Sequence, residues 1–229
     1  MEKAFISWSG GKDCCMAAIL AGGKGIDPVY LLNMVTEDKK RSCSHGIAVE
    51  WIRKQAEAMG INLLQFPTTG DNYQTVFSNA LKELRYDGVT TGVFGDIDFE
   101  PHKEWIEKVC NPAGINPVLP LWGRNQNKIM KEFLDLGFHA RVIAVSADLL
   151  GQEWLGRPVD QKFLRDIADL NKGITPCGEA GEFHTLVTDG PIFKKRMEIT
   201  SAAPGKRGEH WFWDIKKIEL VEKKSGSSL

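Results

Sequence analysis

The residues best suited to chemistry at the start of the chain are Ser9, Gly10, Gly11, Lys12 and Asp13, which stand between two apolar segments. Glycine lets a backbone turn sharply and approach a ligand closely. Amide groups at such a turn and at the start of a following helix bind anions, because the helix dipole favours negative charge there. With a cation from Lys12 and a hydroxyl group from Ser9, this run predicts a phosphate-binding loop.

The run departs from the common phosphate-binding motifs. A Walker A loop needs a glycine five residues before its Gly-Lys pair and a hydroxyl residue after it, whereas Ile6 and Asp13 hold these positions. A glycine-rich turn without a ligand is therefore the alternative interpretation. The position after the first apolar run favours a ligand, because open α/β sheets bind ligands at the carboxyl ends of their strands. Asp13 could cap the helix or bind a metal ion.

A second chemistry-bearing group, Glu179, Glu182, His184 and Thr185, lies in the segment TPCGEAGEFHTLV. Neighbouring carboxylates repel each other unless they bind something, so such a group is a candidate functional site. Acid–base catalysis is one interpretation. A structural acidic turn that pairs with the basic residues 194–196 is the other. A zinc site is disfavoured because the segment lacks the helical HExxH spacing.

Apolar runs that alternate with helical patterns must position these residues. The predicted strands cover residues 4–8, 29–34, 62–66, 88–94 and 140–145, and the predicted helices cover 13–21, 47–59, 73–86, 102–110 and 125–136. This alternation predicts an α/β fold with a doubly wound parallel sheet. Because the pattern ends near residue 146, we expect a first domain over 1–146, a smaller α+β region over 147–222 and a disordered tail over 223–229.

Composition excludes several classes of protein. The 229 residues carry a formal net charge of -1 with a pI near 6.5, which argues against a general nucleic-acid binder. Five cysteines without CxxC spacing predict reduced thiols rather than disulfides or a zinc cluster. No apolar stretch reaches membrane-spanning length and no signal-peptide pattern is present, so we predict a cytoplasmic protein without membrane contact.

The run SGGKD resembles the PP-loop of the N-type ATP pyrophosphatases, in the adenine nucleotide alpha hydrolase superfamily with its HUP-type fold. The resemblance implies cleavage of ATP between the α and β phosphates and activation of the substrate as an adenylate. Residues 9–13 would contact the β and γ phosphates, and Asp13 would bind Mg²⁺. Cys14 stands where these proteins usually have serine or threonine, and a thiol is a weaker hydrogen-bond donor.

A longer series of motifs, TTGVFGDID, PLWGR, GFHARVIAVSA and CGEAGEFHTLV, resembles the diphthine–ammonia ligase family (the diphthamide synthase domain, or ATP-binding domain 4) over residues 4–200. The resemblance implies amidation of a carboxylate with ammonia while ATP is converted to AMP and pyrophosphate. In eukaryotes and archaea this carboxylate is diphthine, a modified histidine of elongation factor 2. The segments SCSHG and HKEW are more similar to a bacterial branch, for which we expect another carboxylate.

The resemblance also implies roles for individual residues. Glu179 and Glu182 would bind substrate or ammonia, with His184 auxiliary and Lys12 completing the catalytic group. Further candidates lie near the carboxyl ends of the second and fourth strands. The expected nucleotide contacts there and in the loop are Cys14, Asn33, Met34, His45, Gly92 and Gly95, and the further candidates for contacts with nucleotide or substrate are Asp96, His102, Leu121, Trp122 and Arg124. Core packing, turns and surface ion pairs are the alternative roles.

Two other function classes stay open. One is an ATP-binding regulatory module without turnover, in which the acidic GEAGEFHT segment would have no task. The other is a PP-loop enzyme that modifies RNA, which predicts a basic surface that the composition does not show. The expected partners are ATP, ammonia and a carboxylate substrate, and a homodimer is compatible with this interpretation.

Overall fold

The computed structural model describes residues 2–223. The predicted tail over 223–229 lies outside the described residues except for Lys223. Within residues 2–223, no helix has both the length and the apolar character needed to cross a membrane.

Five parallel strands form the first sheet, and their order explains where a ligand can bind. The strands are β1 (Glu2–Ser7), β2 (Ile26–Thr36), β3 (Asn62–Thr68), β4 (Thr91–Val93) and β5 (Asn116–Val118), in the order β3-β2-β1-β4-β5. The chain moves outward from β1 in one direction through β2 and β3, then returns to the other side of β1 with β4. This reversal opens a crevice at the carboxyl ends of β1 and β4.

Helices cover both faces of this sheet, as the sequence predicts. The described residues form the helices α1 (Lys12–Gly22), α2 (Val49–Met59), α3 (Tyr73–Tyr86), α4 (Glu100–Cys110), α5 (Gln126–Asp135) and α6 (Gln161–Asp169), of which α1 to α4 pack on β1. Successive residues of β1 point to opposite faces. Ile6 therefore packs with the buried faces of α1 and α2, and Phe5 packs with those of α3 and α4. The predicted α/β fold class is confirmed.

Four antiparallel strands form a second sheet in the C-terminal half. They are β6 (His139–Ser146), β7 (Phe183–Asp189), β8 (Lys195–Arg207) and β9 (His210–Glu222), in the order β7-β6-β9-β8. This sheet corrects one expectation, because the predicted strand over 140–145 is β6 and does not extend the parallel sheet. Its continuous apolar run shows that the strand is buried but not which neighbours it has. The change of sheet comes between Val118 and His139, and the domain division at residue 146 stays a prediction.

Hydrogen bonds join β7 of the second sheet to the loop that follows β1. The Val187 N–H donates to the Gly10 carbonyl at 3.0 Å, and the Lys12 N–H donates to Thr185 Oγ1 at 3.1 Å. The segment that contains Glu179 and Glu182 leads directly into β7. The loop after β1 and the segment that contains Glu179 and Glu182 are therefore held against each other.

All five cysteines lie among the described residues and are free thiols. Cys14, Cys15, Cys110 and Cys177 are buried, whereas Cys43 is exposed. Burial raises the pKa of Cys110 and of Cys177 to about 12, so these two thiols stay protonated at neutral pH.

Candidate active site

A cavity of about 660 Å³ lies at the carboxyl ends of β1 and β4. The loop after β1, the first turn of α1, the end of β4, α4 and the segment 177–185 form its walls. Eight of the residues singled out from the sequence as nucleotide-binding or catalytic line it, namely Ser9, Lys12, Asp13, Cys14, His45, Gly95, Glu179 and His184. The fold thus brings together residues that are more than 170 positions apart.

The loop after β1 is shaped by packing of its glycines. Gly10 has a φ of +83°, a conformation that side chains rarely adopt, and a Cβ there would lie 2.7 Å from Ile52 Cδ1. A Cβ on Gly11 would lie 2.5 Å from His45 Cε1. Neither glycine lines the cavity. Both allow the loop to lie close to its neighbours so that the start of α1 faces the cavity.

The first turn of α1 presents backbone donors to this cavity. The first amides of a helix have no carbonyl partner within the helix. The Gly11 N–H donates to Ser9 Oγ at 3.3 Å and the Lys12 N–H is used by Thr185. The next two amides, of Asp13 and Cys14, belong to residues that line the cavity. This end of α1 is suited to an anion.

The Cys14 thiol is engaged within the loop itself. Its Sγ donates to the Gly11 carbonyl at 3.1 Å and lies 3.5 Å from Ser9 Oγ. Cys14 therefore stabilises the turn, and it also lines the cavity. Whether its thiol contacts a phosphate stays a prediction.

Lys12 and Asp13 form a buried ion pair at the base of the cavity. Lys12 Nζ donates to Asp13 Oδ2 at 2.8 Å and to the Cys177 carbonyl, and it lies 5.4 Å from the centre of the Phe183 ring. Burial is the largest single influence on the pKa of Lys12 and lowers it, but Asp13, Cys177 and Glu179 together raise it more, so the ammonium group stays charged. Lys12 thus brings a positive charge to the loop and ties it to the segment before β7.

Asp13 is the residue best placed to hold a metal ion. Its Oδ1 atom is buried and has no hydrogen-bond partner. Within residues 2–223, no three His, Cys, Asp or Glu side chains are grouped to bind a metal. Mg²⁺ usually takes one or two carboxylates together with substrate phosphates and water. A single free carboxylate oxygen beside a phosphate loop fits that mode, and the magnesium site at Asp13 stays a prediction.

Glu179 is a cavity carboxyl whose pKa lies near neutrality. Burial and the charge of Asp13 raise its pKa and Lys12 lowers it, so that its pKa is about 7. Its backbone N–H donates to Thr175 Oγ1 at 2.9 Å, which fixes the start of the turn. A carboxyl that exchanges its proton near neutral pH is suited to general acid–base catalysis.

Glu182 has a structural role, which corrects the prediction that it binds substrate or ammonia. It is 3% exposed and does not line the cavity. Its Oε1 accepts from the Thr175 N–H at 2.7 Å and its Oε2 from the Ala180 N–H at 2.8 Å. The carboxylate therefore closes the turn that presents Glu179.

Replacing Glu182 with glutamine is expected to lower the free energy of unfolding by about 2 kcal/mol, since one of the two backbone amides then loses its acceptor and the other loses a charged one. Denaturant unfolding would measure the loss. Glu209→Gln, at an exposed position, is the matched control and should leave stability unchanged. Equal stability of Glu182→Gln and the wild type would contradict the closing role.

Two stacked imidazoles lie beside the loop after β1. The rings of His45 and His184 have centres 4.5 Å apart and an interplanar angle of 20°. Burial lowers the pKa of His184 to about 4 and that of His45 well below its ordinary value, so both rings are neutral at neutral pH. His45 does not cap α2, whose N-cap residue is Ala48. Its Nδ1 atom is buried without a partner, and its ring lies over Gly11.

Asn33 and Met34, expected to contact adenine, lie in the core instead. The Asn33 Nδ2 donates to the Trp8 carbonyl at 2.8 Å, and the Met34 carbonyl accepts from the Cys43 N–H at 2.9 Å. Neither residue lines the cavity. Their groups join β1, β2 and the following loop, so the structure gives no support for an adenine contact.

The two glycines expected at the end of β4 have different roles. A Cβ on Gly92 would lie 2.7 Å from Phe5 Cζ, so this glycine is required by core packing rather than by a nucleotide, which corrects the expectation. A Cβ on Gly95 would lie 2.8 Å from the carbonyl carbon of Asp13 and 2.9 Å from the Cys14 nitrogen. Gly95 lets the end of β4 approach the anion-binding turn of α1.

The remaining candidates divide between the cavity and the surface. Asp96 and His102 line the cavity, and Asp96 Oδ1 lies 3.1 Å from His102 Nδ1. Arg124 pairs with Glu132 at 2.5 Å, and the Trp122 ring lies 5.0 Å from Lys103 Nζ. Arg124, Trp122 and the buried Leu121 do not line the cavity.

Sequence reasoning missed Gln55, which holds the loop from below. Gln55 is fully buried. Its Oε1 accepts from Trp8 Nε1 at 2.8 Å, and its Nε2 donates to the carbonyls of Gly10 and Val187 at 3.0 and 2.8 Å. The signal in the sequence was a polar residue on the otherwise apolar face of the helix that became α2.

An aromatic wall was also missed. Tyr73, Phe94 and Trp105 line the cavity, and the rings of Tyr73 and Trp105 have centres 5.8 Å apart. Helical periodicity explains these aromatic residues as core, so no local signal separates them from packing residues.

Comparison with models of protein families identifies the family of this chain. The family model described as the diphthamide synthase N-terminal domain matches residues 2–117, which is more than half of the chain, and the diphthamide synthase C-terminal domain matches residues 125–221. The chain belongs to the diphthamide synthase family. The two matched ranges meet near the point where this chain passes from the parallel to the antiparallel sheet.

Several curated proteins of this kind are similar to the chain over most of its length. The diphthine–ammonia ligase of Danio rerio is 28% identical over 217 residues, covering 83% of this chain and 84% of that protein. The human diphthine–ammonia ligase is 29% identical, covering 85% and 81%. The Schizosaccharomyces pombe protein of the same name is 28% identical, but only 35% of its length is matched.

One solved structure is also similar, a predicted subunit of tRNA methyltransferase from Methanocaldococcus jannaschii. It matches with a TM-score of 0.45 and 16% identity, covering 82% of this chain and 98% of that chain. A similarity of this size supports no inference about the present protein.

Proposed function

We propose that this protein is an ATP-dependent amide ligase that converts ATP to AMP and pyrophosphate while it amidates a carboxylate with ammonia. The observation that carries the proposal is one cavity that joins the loop 9–14 to Glu179, a carboxyl with a pKa of about 7. Family membership and relatives named diphthine–ammonia ligase support the same reaction class.

In the first step, the substrate carboxylate attacks the α phosphorus of ATP and the α–β phosphoanhydride bond breaks. Pyrophosphate leaves with its charge directed at the start of α1, where the amides of Asp13 and Cys14 and the ammonium group of Lys12 stabilise it. A magnesium ion held by Asp13 Oδ1 would neutralise part of the phosphate charge. Ser9 and His45 shape the wall beside the loop.

In the second step, Glu179 takes a proton from ammonium, and the ammonia that results attacks the acyl carbon of the adenylate. The nitrogen then loses a second proton to solvent, the bond from this carbon to the phosphate oxygen breaks, and AMP leaves as the amide forms. The neutral His184 ring can accept one hydrogen bond and donate another. It can therefore orient the nitrogen nucleophile without adding a charge that would repel ammonium.

The nature of the carboxylate is a finer proposal. Asp96 and Glu179 give the cavity acidic walls, and Tyr73 and Trp105 add aromatic faces. Acidic and aromatic groups together attract cations, including quaternary ammonium groups. We propose diphthine of elongation factor 2, or another carboxylate that bears a cationic group, as the substrate. A cytoplasmic location and a homodimer are further proposals, based on the sequence alone.

The test is the identity of the nucleotide products. The protein would be incubated with ATP, Mg²⁺ and ammonium, with and without diphthine-bearing elongation factor 2, and AMP, ADP and pyrophosphate would be separated. AMP and pyrophosphate that form only with the factor support the diphthine substrate. Their formation only with a metabolite extract supports the ligase chemistry with another carboxylate. ADP, or tight ATP binding without turnover, contradicts the proposal and favours a regulatory module.

A further inference from the structure

A second cavity of about 280 Å³ lies next to the active site and shares His45 with it. The loop after β2, the start of α2 and the ends of β8 and β9 form its walls. Much of the lining is apolar and includes Trp51, Ile143, Phe212 and Trp213. Nothing in the proposed ligase reaction uses this cavity.

Basic side chains dominate the charge of the second cavity. Arg41, Arg207 and Lys216 line it together with two acids, Asp214 and Glu50. The Asp214 carboxylate is occupied, because Arg207 Nη1 donates to both of its oxygens at 2.9 and 2.8 Å and Arg41 Nη2 lies 3.5 Å from Oδ1. One carboxylate shared by two guanidinium groups leaves positive charge in excess.

Arg207 has an unused donor in this cavity. Its Nη2 atom is buried and has no hydrogen-bond partner, while its guanidinium group lies 4.0 Å from the centre of the Phe212 ring. A buried donor without a partner is costly. The planar guanidinium group matches carboxylate and phosphate oxygens in geometry. An oxyanion beside Arg207 would therefore accept a hydrogen bond from this donor and neutralise part of the excess positive charge.

We propose that the second cavity binds a small ligand that carries a carboxylate or phosphate group on an apolar body. Arg207 and Lys216 bind the anionic group, and the apolar body contacts Trp51 and Trp213. The volume limits the ligand to a size below that of most drug-sized molecules.

The same cavity is mechanically connected to the phosphate loop. The Gly46 carbonyl accepts from Arg41 Nη1 at 2.8 Å, and a Cβ on Gly46 would lie 3.1 Å from Phe212 Cε1. The neighbouring residue, His45, lies over Gly11 of the phosphate loop. A ligand that binds Arg207 and Arg41 therefore affects the position of the loop that carries His45.

In a titration of the ¹⁵N-labelled protein, the indole N–H resonances of the tryptophans distinguish binding in one cavity from binding in the other. Trp51 and Trp213 line the second cavity, whereas Trp105 lines the first. Their signals are assigned with Trp51→Phe, Trp213→Phe and Trp105→Phe. Inorganic phosphate and benzoate are titrated separately. We expect at least one of them to shift the Trp51 and Trp213 signals saturably. Phosphate alone indicates a phosphate ligand, benzoate alone a carboxylate on an apolar body, and both a general oxyanion site.

Variants test whether the basic residues carry the binding. Arg207→Gln and Lys216→Gln are each expected to weaken binding about tenfold, because each removes a charged hydrogen-bond donor. Lys217→Gln is the matched control, since Lys217 is exposed, pairs with Glu219 at 2.6 Å and does not line the cavity. Lys216 is also exposed, so its replacement tests the site even if Arg207→Gln fails to fold.

The proposal is overturned if neither probe shifts Trp51 and Trp213 saturably, if only Trp105 responds, or if the Lys216 and Lys217 variants bind alike. A parallel ATP titration followed at Trp105, together with the assay of AMP formation, tests the proposed function separately, so failure of one proposal is distinguishable from failure of the other.

Discussion

Replacing Gly95 with alanine is expected to weaken ATP binding about 10- to 100-fold. The new methyl group would lie 2.8 Å from the Asp13 carbonyl carbon and 2.9 Å from the Cys14 nitrogen. Both atoms belong to the backbone of the first turn of α1 and cannot rotate away as a side chain would. The end of β4 and the start of α1 must therefore separate, which displaces the amides proposed to bind phosphate. Isothermal titration calorimetry with ATP and Mg²⁺ would measure the change.

Gly22→Ala is the matched control for this substitution. Gly22 ends the same helix, and a Cβ there would meet nothing within 4 Å. Alanine is a better helix former than glycine, so we expect unchanged ATP binding and equal or higher stability. Wild-type ATP affinity in the Gly95→Ala variant would show that ATP does not bind at the start of α1.

Replacing Glu179 with glutamine is expected to leave ATP binding near the wild-type value and to lower turnover about 100- to 1,000-fold. The base must be ionised to take a proton from ammonium. Because its pKa is about 7, wild-type kcat at saturating ammonium should rise with pH up to about 7 and then level off. The glutamine variant should lack this rise. Steady-state rates of AMP formation across pH would measure both effects.

The same substitution, which lowers turnover, is expected to raise the stability of the folded protein. The pKa of Glu179 in the folded protein is about 7, above its ordinary value of 4.5. Below pH 4.5 the carboxyl is protonated in both the folded and the unfolded protein, so it makes no pH-dependent contribution to the free energy of unfolding. As pH rises from 4.5 to 7, the unfolded state ionises first, so the wild type loses stability. Glu179→Gln should therefore gain thermal stability relative to the wild type over this range. A constant difference, or a wild-type rate profile in the variant, would contradict the assigned role.

The loop after β1 could be singled out from the sequence as a candidate phosphate site because its signals are local. Glycines at positions 10 and 11, a lysine and an acidic residue all lie within a few residues between a strand and a helix. The alternation of strands and helices similarly predicts the parallel sheet. The partners of a strand are not local information, which explains why β6 was expected in the wrong sheet.

The roles of the two acidic residues could not be separated from the sequence. Glu179 and Glu182 stand in the same glycine-rich segment and look equivalent there. Turns at Gly178 and Gly181, with φ of +70° and +83°, direct one carboxylate to the cavity and the other to the backbone amides. Gln55 was missed for a related reason, since two of its partners, Gly10 and Val187, come from distant parts of the chain.

The central claim is that ATP binds in the larger cavity with its phosphates on the loop 9–14. A crystal structure with Mg²⁺ and α,β-methylene-ATP, which cannot be cleaved between the α and β phosphates, tests it most directly. We predict that the β and γ phosphates contact the amides of Asp13 and Cys14, that the metal ion binds Asp13 Oδ1, and that the α phosphate faces Glu179. Phosphates bound away from the start of α1, or a nucleotide outside this cavity, would contradict the account.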